Sequence, residues 1–299
     1  MGARIGKALP AGPDLGRDTG QTELALVWRQ LRRNYGAVAG GVVVILLVAI
    51  ALTAPFISPH DPTEVNLLYA MAPPSLENPL GTDTFGRDML SRVIYGSRIS
   101  LQVGLITLAI AASVGLFLGV LAGYRGGWAD SLISRVVDVT LAFPDILLAL
   151  VIVAALGPGL QNAMIAIGIS SIPSYVRLVR GSTLSIREMD YILGARAIGC
   201  YDGHIMLRYI LPNVLPPVIV LGTLGVAGAI LSAAALSFIG LGAQPPTPEW
   251  GAMLSDGRNY MRDAWWLTVI PGVAIMVTVL SLNLLGDGLR DALDPRLRR

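Results

Sequence analysis

Charge is scarce in this chain. Of its 299 residues, 14% are Asp, Glu, Lys or Arg, while 54% are hydrophobic. A soluble protein carries about 25% charged residues, so the shortfall points to the membrane class. Cysteine is nearly absent: Cys200 stands alone, which excludes an internal disulfide. The two histidines, His60 and His204, lie far apart. That argues against a histidine-rich metal site and against a membrane hydrolase built on a serine–histidine pair. Lysine occurs once, at Lys7. A phosphate-binding loop ends in Gly-Lys-Ser/Thr, and Gly6-Lys7-Ala8 does not. No catalytic residue, metal site, cofactor of its own or nucleic-acid partner is expected of such a sequence.

Long apolar runs are what the chain has in abundance. A membrane helix needs about 20 mostly apolar residues. Six runs qualify: Ala37 to Ile57, Ile99 to Tyr124, Leu132 to Leu156, Leu160 to about Arg180, Ile210 to about Leu241, and Trp266 to about Leu289. The fold class expected is therefore an all-α integral membrane protein with six transmembrane helices. Six spans put both ends on one side. Seventeen of the 22 basic residues fall on the face that carries the termini, and five on the other. This bias predicts that both termini are cytoplasmic. The first run follows some 36 polar residues and is longer than a signal-peptide core, so it reads as an uncleaved anchor. The layout expected is a tail with a short interfacial helix over 1–36, a first span over 37–57 and an extracytoplasmic segment over 58–98. A five-helix core follows over 99–289, with a cytoplasmic loop at about 185–209, and a tail over 290–299 closes the chain.

Several positions inside the runs stand out. Gly115, Gly119 and Gly123 recur every four residues and form a smooth ridge on a helix, for static packing or for a sliding contact. Asp138 and Asp145 are seven residues apart, hence on one face of a continuous helix. Intramembrane carboxylates default to a functional reading. Asp138 can instead be solvated or paired with Arg135, and Asp145, which follows Pro144, can be partnered by the broken backbone there or belong to the translocation path. The fifth run is rich in small residues. Gly222, Gly225 and Gly228, with Ser232 and Ser237, suit either tight packing or the wall of a wide conduit. On the opposite face, Leu80 to Leu101 predicts an interfacial helix with an apolar stripe of Met89, Val93 and Ile94.

The segment Tyr191 to Asn213, YILGARAIGCYDGHIMLRYILPN, is polar, glycine-broken and set between two spans. A helix over Glu188 to Ile198, a break at Gly199 and a second short helix over about Tyr201 to Tyr209 are expected. Such a knob is something a cytoplasmic partner can grip. The segment resembles the coupling loop of ABC importer permeases, whose pattern is Glu-Ala-Ala, three residues, Gly, nine residues, Ile, one residue, Leu-Pro. Ala195, Gly199, Leu211 and Pro212 fall on that register. Leu193 replaces the Glu, Gly194 the first Ala, and Tyr209 the Ile. Leu80 to Leu101, Ser237 to Leu254 and Leu284 to Pro295 also resemble the C-type permease subunit of dipeptide/oligopeptide importers.

The resemblance runs from about Gln30 to Arg296. It implies a heterodimer with a second permease, two cytoplasmic ATPases that hold ATP and Mg, and an extracytoplasmic solute-binding protein. It places the chain in the bacterial inner membrane. It assigns ATPase coupling to Leu193, Gly194, Ala195, Arg196, Gly199, Leu211 and Pro212, with docking through shape and apolar contact around Ala195 and Gly199. Di- or oligopeptides are the implied solute; glutathione and nickel permeases share the same runs. A secondary transporter would need paired intramembrane charges or inverted repeats, and neither is evident.

Overall fold

The computed structural model describes residues 23–293. The expected N-terminal tail before residue 23 and the residues after 293 lie outside them. Within the described residues the chain is helical and holds no β-strand. A short helix α1 (Glu23–Arg33) leads into α2 (Tyr35–Ile57). Asn34 sits at the junction, and its side chain accepts the Ala37 N–H at 3.1 Å, an N-cap. Then come α3 (Met89–Arg125), α4 (Gly127–Leu141), α5 (Asp145–Leu156) and α6 (Leu160–Arg187). The chain continues through α7 (Asp190–Ala197), α8 (Asp202–Ile205), α9 (Leu211–Phe238), α10 (Trp250–Gly257) and α11 (Trp266–Leu293).

Five stretches are each long and apolar enough to cross a membrane: α2, α3, α6, α8 through α9, and α11. The third expected span is different. It is broken into α4 and α5, which meet at 92° and make a sixth crossing only if taken together. Pro144 supplies the reason. It lacks an N–H and bars Phe143 before it from helical backbone, so α4 cannot run on into α5. The break also separates Asp138 from Asp145, which therefore do not share a helix face. Asp138 pairs with Arg177 of α6 at 2.9 Å, not with Arg135. The interfacial helix expected over Leu80 to Leu101 is likewise corrected. It begins at Met89 and is continuous with the second span, capped by Asp88, whose side chain accepts the Ser91 N–H at 2.8 Å.

Small residues let the long helices approach closely. The ridge of Gly115, Gly119 and Gly123 on α3 lies against Tyr175, Val179 and Thr183 of α6, a ladder of the same four-residue period. A Cβ on Gly119 would stand 2.6 Å from that of Val179, and one on Gly123 2.7 Å from that of Thr183. The ridge is a packing seam. Gly222 and Gly225 of α9 are filled in the same way, by Leu108 and by the Tyr175 hydroxyl, while Gly228 faces open space. On α2 the buried residues are Ala37, Gly40, Ala51 and Ala54, and its large side chains point outward, with Ile45, Leu52 and Phe56 exposed. An apolar exterior over a small-residue interior is what helices in lipid require.

The arginine-poor end is closed by two segments bound to each other. Trp250 Nε1 donates to the Val93 carbonyl at 3.1 Å, and Trp266 Nε1 to that of Thr82, also at 3.1 Å. The buried Arg92 donates to the carbonyls of Pro62 and Pro246. Arg87 pairs with Asp83 at 2.6 Å. Buried tryptophans whose N–H groups find carbonyls, and arginines whose charge is paired, make this cap rigid.

Candidate functional site

At the arginine-rich end, the chain between α6 and α9 forms a knob. Asp190 and the helix N-terminus begin α7, with the acid in the first turn where the helix dipole favours it. The helix ends after eight residues. Gly199 follows with φ +85°, a left-handed turn that L side chains resist and glycine accepts freely. The Gly199 N–H closes onto the Arg196 carbonyl, and the Cys200 N–H onto that of Ala195. Beyond the turn, the expected helix over Tyr201 to Tyr209 is split. It comprises the short α8 and a π-turn over Met206–Ile210, from which α9 starts. Asp202, in the first turn of α8, is drawn to Tyr124, and Pro212 at the start of α9 has no N–H to give the ladder.

The knob has an inner and an outer side. Ile192, Ala195, Ile205 and Ile210 are buried in one cluster with Val120, Tyr124 and Ile186. Ala195 is 5% exposed, so its methyl faces the bundle. Facing outward are Tyr191, Leu193, Ile198, Tyr201 and Leu207, with Ile198 82% exposed. Gly194 opens onto free space. Tyr191, Tyr209, His204 and Tyr201 form a chain of ring contacts, with centroids 5.6 to 6.4 Å apart along it. The aromatic chain joins α7 to the segment after the glycine turn, so the two halves present one surface.

Tyr124, near the end of α3, locks the knob to the bundle. Its hydroxyl donates to Asp202 Oδ1 at 2.6 Å, and the Arg196 guanidinium lies 5.1 Å from its ring centroid. One tyrosine thus touches both sides of the Gly199 turn. Arg187, at the end of α6, donates to the Gly123 carbonyl at 2.9 Å. Two ion pairs brace α4 on α6: Arg180 with Asp130, through two nitrogens, and Arg177 with Asp138.

Of the residues marked in the sequence, Leu193, Gly194, Ala195, Arg196 and Gly199 come together on α7 and its turn, but on both of its sides. Leu211 is half-buried and Pro212 exposed, at the root of α9. The candidates for the path do not form a cluster. Asp145 is exposed in the first turn of α5, just past the break. Ser232 is half-buried on α9. Ser237 is 3% exposed, and its hydroxyl accepts the Ala243 N–H at 3.1 Å beside Glu249. It is a tie between α9 and the segment that follows. Sequence reading missed Tyr124, Asp202 and Arg187. They lie far from one another in the chain, and no local pattern announces such contacts. Among the described residues no group of three or more His, Cys, Asp or Glu is placed to hold a metal ion.

Residues 115–299 match the profile of the binding-protein-dependent transport system inner membrane component. The chain belongs to that family. Residues 22–74 match the N-terminal membrane domain of oligopeptide transport permease C. A dipeptide transport system permease protein of Alkalihalophilus pseudofirmus is 49% identical over 271 residues, which cover 91% of this chain and 89% of that protein. A glutathione transport system permease protein of Escherichia coli O6:K15:H31 is 48% identical over 295 residues, 97% of this chain and 96% of that one. The fold is also that of a chain of the MetNI methionine ABC transporter in an inward-facing conformation. The TM-score is 0.57 at 21% identity, covering 69% of this chain and 98% of that one. The protein is thus a membrane permease of an ABC importer, and ATP hydrolysis belongs to partner ATPase subunits.

Proposed function

We propose that this subunit forms half of the path for di- or oligopeptides and is driven through the knob at α7. Both termini and the knob lie in the cytoplasm, as the arginine bias requires. The subunit pairs with a second permease and stands on two ATPases, which carry ATP and Mg. A solute-binding protein delivers the solute from the other side. The observation that carries the coupling role is the two-sidedness of the knob. Its inner side is fixed by Ile192, Ala195 and the Tyr124 contacts, and its outer side is apolar and uncovered. A rigid element with an unpartnered apolar face transmits a push instead of absorbing it. Contact with the ATPase falls to Leu193, Gly194 and Ile198, while Ala195, Arg196 and Gly199 hold the shape, and Leu211 and Pro212 pass the motion to α9. The layout 1–36, 37–57, 58–98, 99–289 and 290–299 is kept as the working division. Asp145 remains the candidate for the path, since it is exposed on this subunit at the break in the third span. The curated relatives carry dipeptide and glutathione names at nearly equal identity. Glutathione is itself a modified tripeptide, so a small-peptide solute fits both.

The test is assembly. Leu193→Glu or Ile198→Glu places a charge on the outer side of the knob and should cut co-purification of the ATPase at least ~10-fold, the equivalent of about 1.4 kcal/mol, while membrane insertion stays intact. Unchanged co-purification of both variants would remove the coupling assignment. Uptake of dipeptides and of glutathione by the reconstituted importer then chooses the solute.

A further inference from the structure

We infer that a cavity in the segment between α2 and α3 receives a basic side chain of the solute-binding protein. This rests on the importer reading above, and on the arginine bias that puts the segment outside. The cavity is about 110 Å³. Asp61, Glu64, Glu77, Asp88 and His60 line it, and no lysine or arginine does. Among the described residues, Asp61, Glu64 and Glu77 make no ion pair, and Asp88 meets only His60, at 3.7 Å. The nearby Arg87 and Arg92 are both engaged by Asp83. Asp88 is 4% exposed. Its Oδ2 accepts the N–H and hydroxyl of Ser91, while its Oδ1 is buried without a hydrogen-bond partner.

Four carboxylates around one small cavity, one of them buried and half-satisfied, ask for positive charge. A metal ion does not suit them, because no three of these groups converge as ligands. An ammonium or guanidinium does suit them. It carries three to five N–H donors that point in different directions and reach acceptors spread around a pocket.

The surroundings say that the cation arrives on a protein. Next to the lining residues in the chain stand Val65, Leu67, Leu68, Leu76 and Phe85, all well exposed, with Leu68 at 93%. Carboxylates and exposed apolar side chains on the same loop are what an interface hot spot combines, a charge pair with apolar contacts that keep water from it. An anionic bilayer surface is a poor occupant, since the four carboxylates repel it. The loop is also held firm. The Asn66 N–H donates to the Phe85 carbonyl at 3.0 Å, and the Thr82 hydroxyl is bonded to the Tyr69 carbonyl.

The experiment uses the complete importer in lipid nanodiscs, with its cognate solute-binding protein titrated at two salt concentrations. The double variant Glu64→Gln, Glu77→Gln changes two exposed side chains that hold nothing else. It should weaken binding of the solute-binding protein ~10-fold and flatten the salt dependence. Basal ATP hydrolysis without that protein should stay as it is. Leu68→Asp should weaken binding as well. Affinity within about twofold of wild type in both variants overturns the inference, as does an equal loss on chelating divalent cations from the wild type. Loss of ATPase assembly in the wild-type complex is a separate readout, and would strike the importer reading instead of the cavity.

Discussion

Tyr124 holds the knob by two unlike contacts, and they can be separated. Tyr124→Phe keeps the ring beneath Arg196 and removes the hydroxyl that bonds Asp202. A hydrogen bond to a charged group contributes about 1.5–3 kcal/mol, so the segment after Gly199 should open more often. Amide hydrogen exchange over residues 200–206 should quicken accordingly, and Tyr124→Ala should quicken it further. Glu249 offers a second test at this scale. It caps α10 by accepting the N–H groups of Gly251 and Ala252, both at 2.9 Å, and is 2% exposed. Burial pushes its carboxyl above the usual range despite those two bonds. A raised pKa in the fold means that stability from this group is full below the ordinary value of 4.5 and is lost as pH rises through the folded value. The Tm of wild type should therefore fall with rising pH more steeply than that of Glu249→Gln. Parallel profiles would show that the two capping bonds offset burial and leave the carboxyl at its ordinary value. Neither residue could be singled out in the sequence. Tyr124 closes an apolar run like any belt aromatic, and Glu249 sits among prolines in a segment that reads as a loop. Gly199 was legible, because a glycine after a helical stretch has few other uses.

The α3–α6 seam is the clearest case at the scale of elements. Three glycines on one helix meet three side chains on the other with the same period, so backbones lie close along three turns. Gly119→Val would drive a branched side chain into Val179. Overpacking costs about 1–3 kcal/mol at one position, and here no neighbour is free to move aside. A lower Tm in detergent, with loss of monodisperse protein, is the expected result. A variant as stable as wild type would mean that α6 can shift away, as a sliding contact requires. The period-four pattern made this seam readable before its partner was known. The break at Pro144 was not readable in the same way. Hydropathy runs on through Phe143-Pro144-Asp145, and a proline within an apolar stretch is as often a kink as a corner. Only packing decides, and here α5 lies against α6 in a cluster with Ala149, Val153, Ala163 and Met164.

At the scale of the whole molecule, the family and five of the six expected crossings were legible from composition and motifs, because lipid restricts the backbone to helices of sufficient length. The shape of the third crossing was not, and it bears on how the subunit survives in the cell. Where two helices meet at 92°, the Ala142 and Phe143 N–H groups close onto the last carbonyls of α4 and the Leu147 and Leu148 N–H groups onto that of Pro144, which leaves the Leu141 carbonyl and the Asp145 and Ile146 N–H groups without a backbone partner among the described residues. Phe143, Pro144 and Asp145 leave this corner uncovered on the isolated chain. Hydrocarbon cannot solvate such groups, and each costs several kcal/mol when left there. In the proposed importer the corner would face water in the path or the body of the second permease. A subunit made in excess of its partner therefore carries a defect that quality-control proteases can find. Pulse-chase labelling should show a short half-life for the lone chain and a several-fold longer one when the partner permease is co-expressed. Equal lifetimes would mean that the corner is already sheltered. A longer life beside the partner would mean that the bend also sets the stoichiometry of the complex, by making the unpaired subunit expendable.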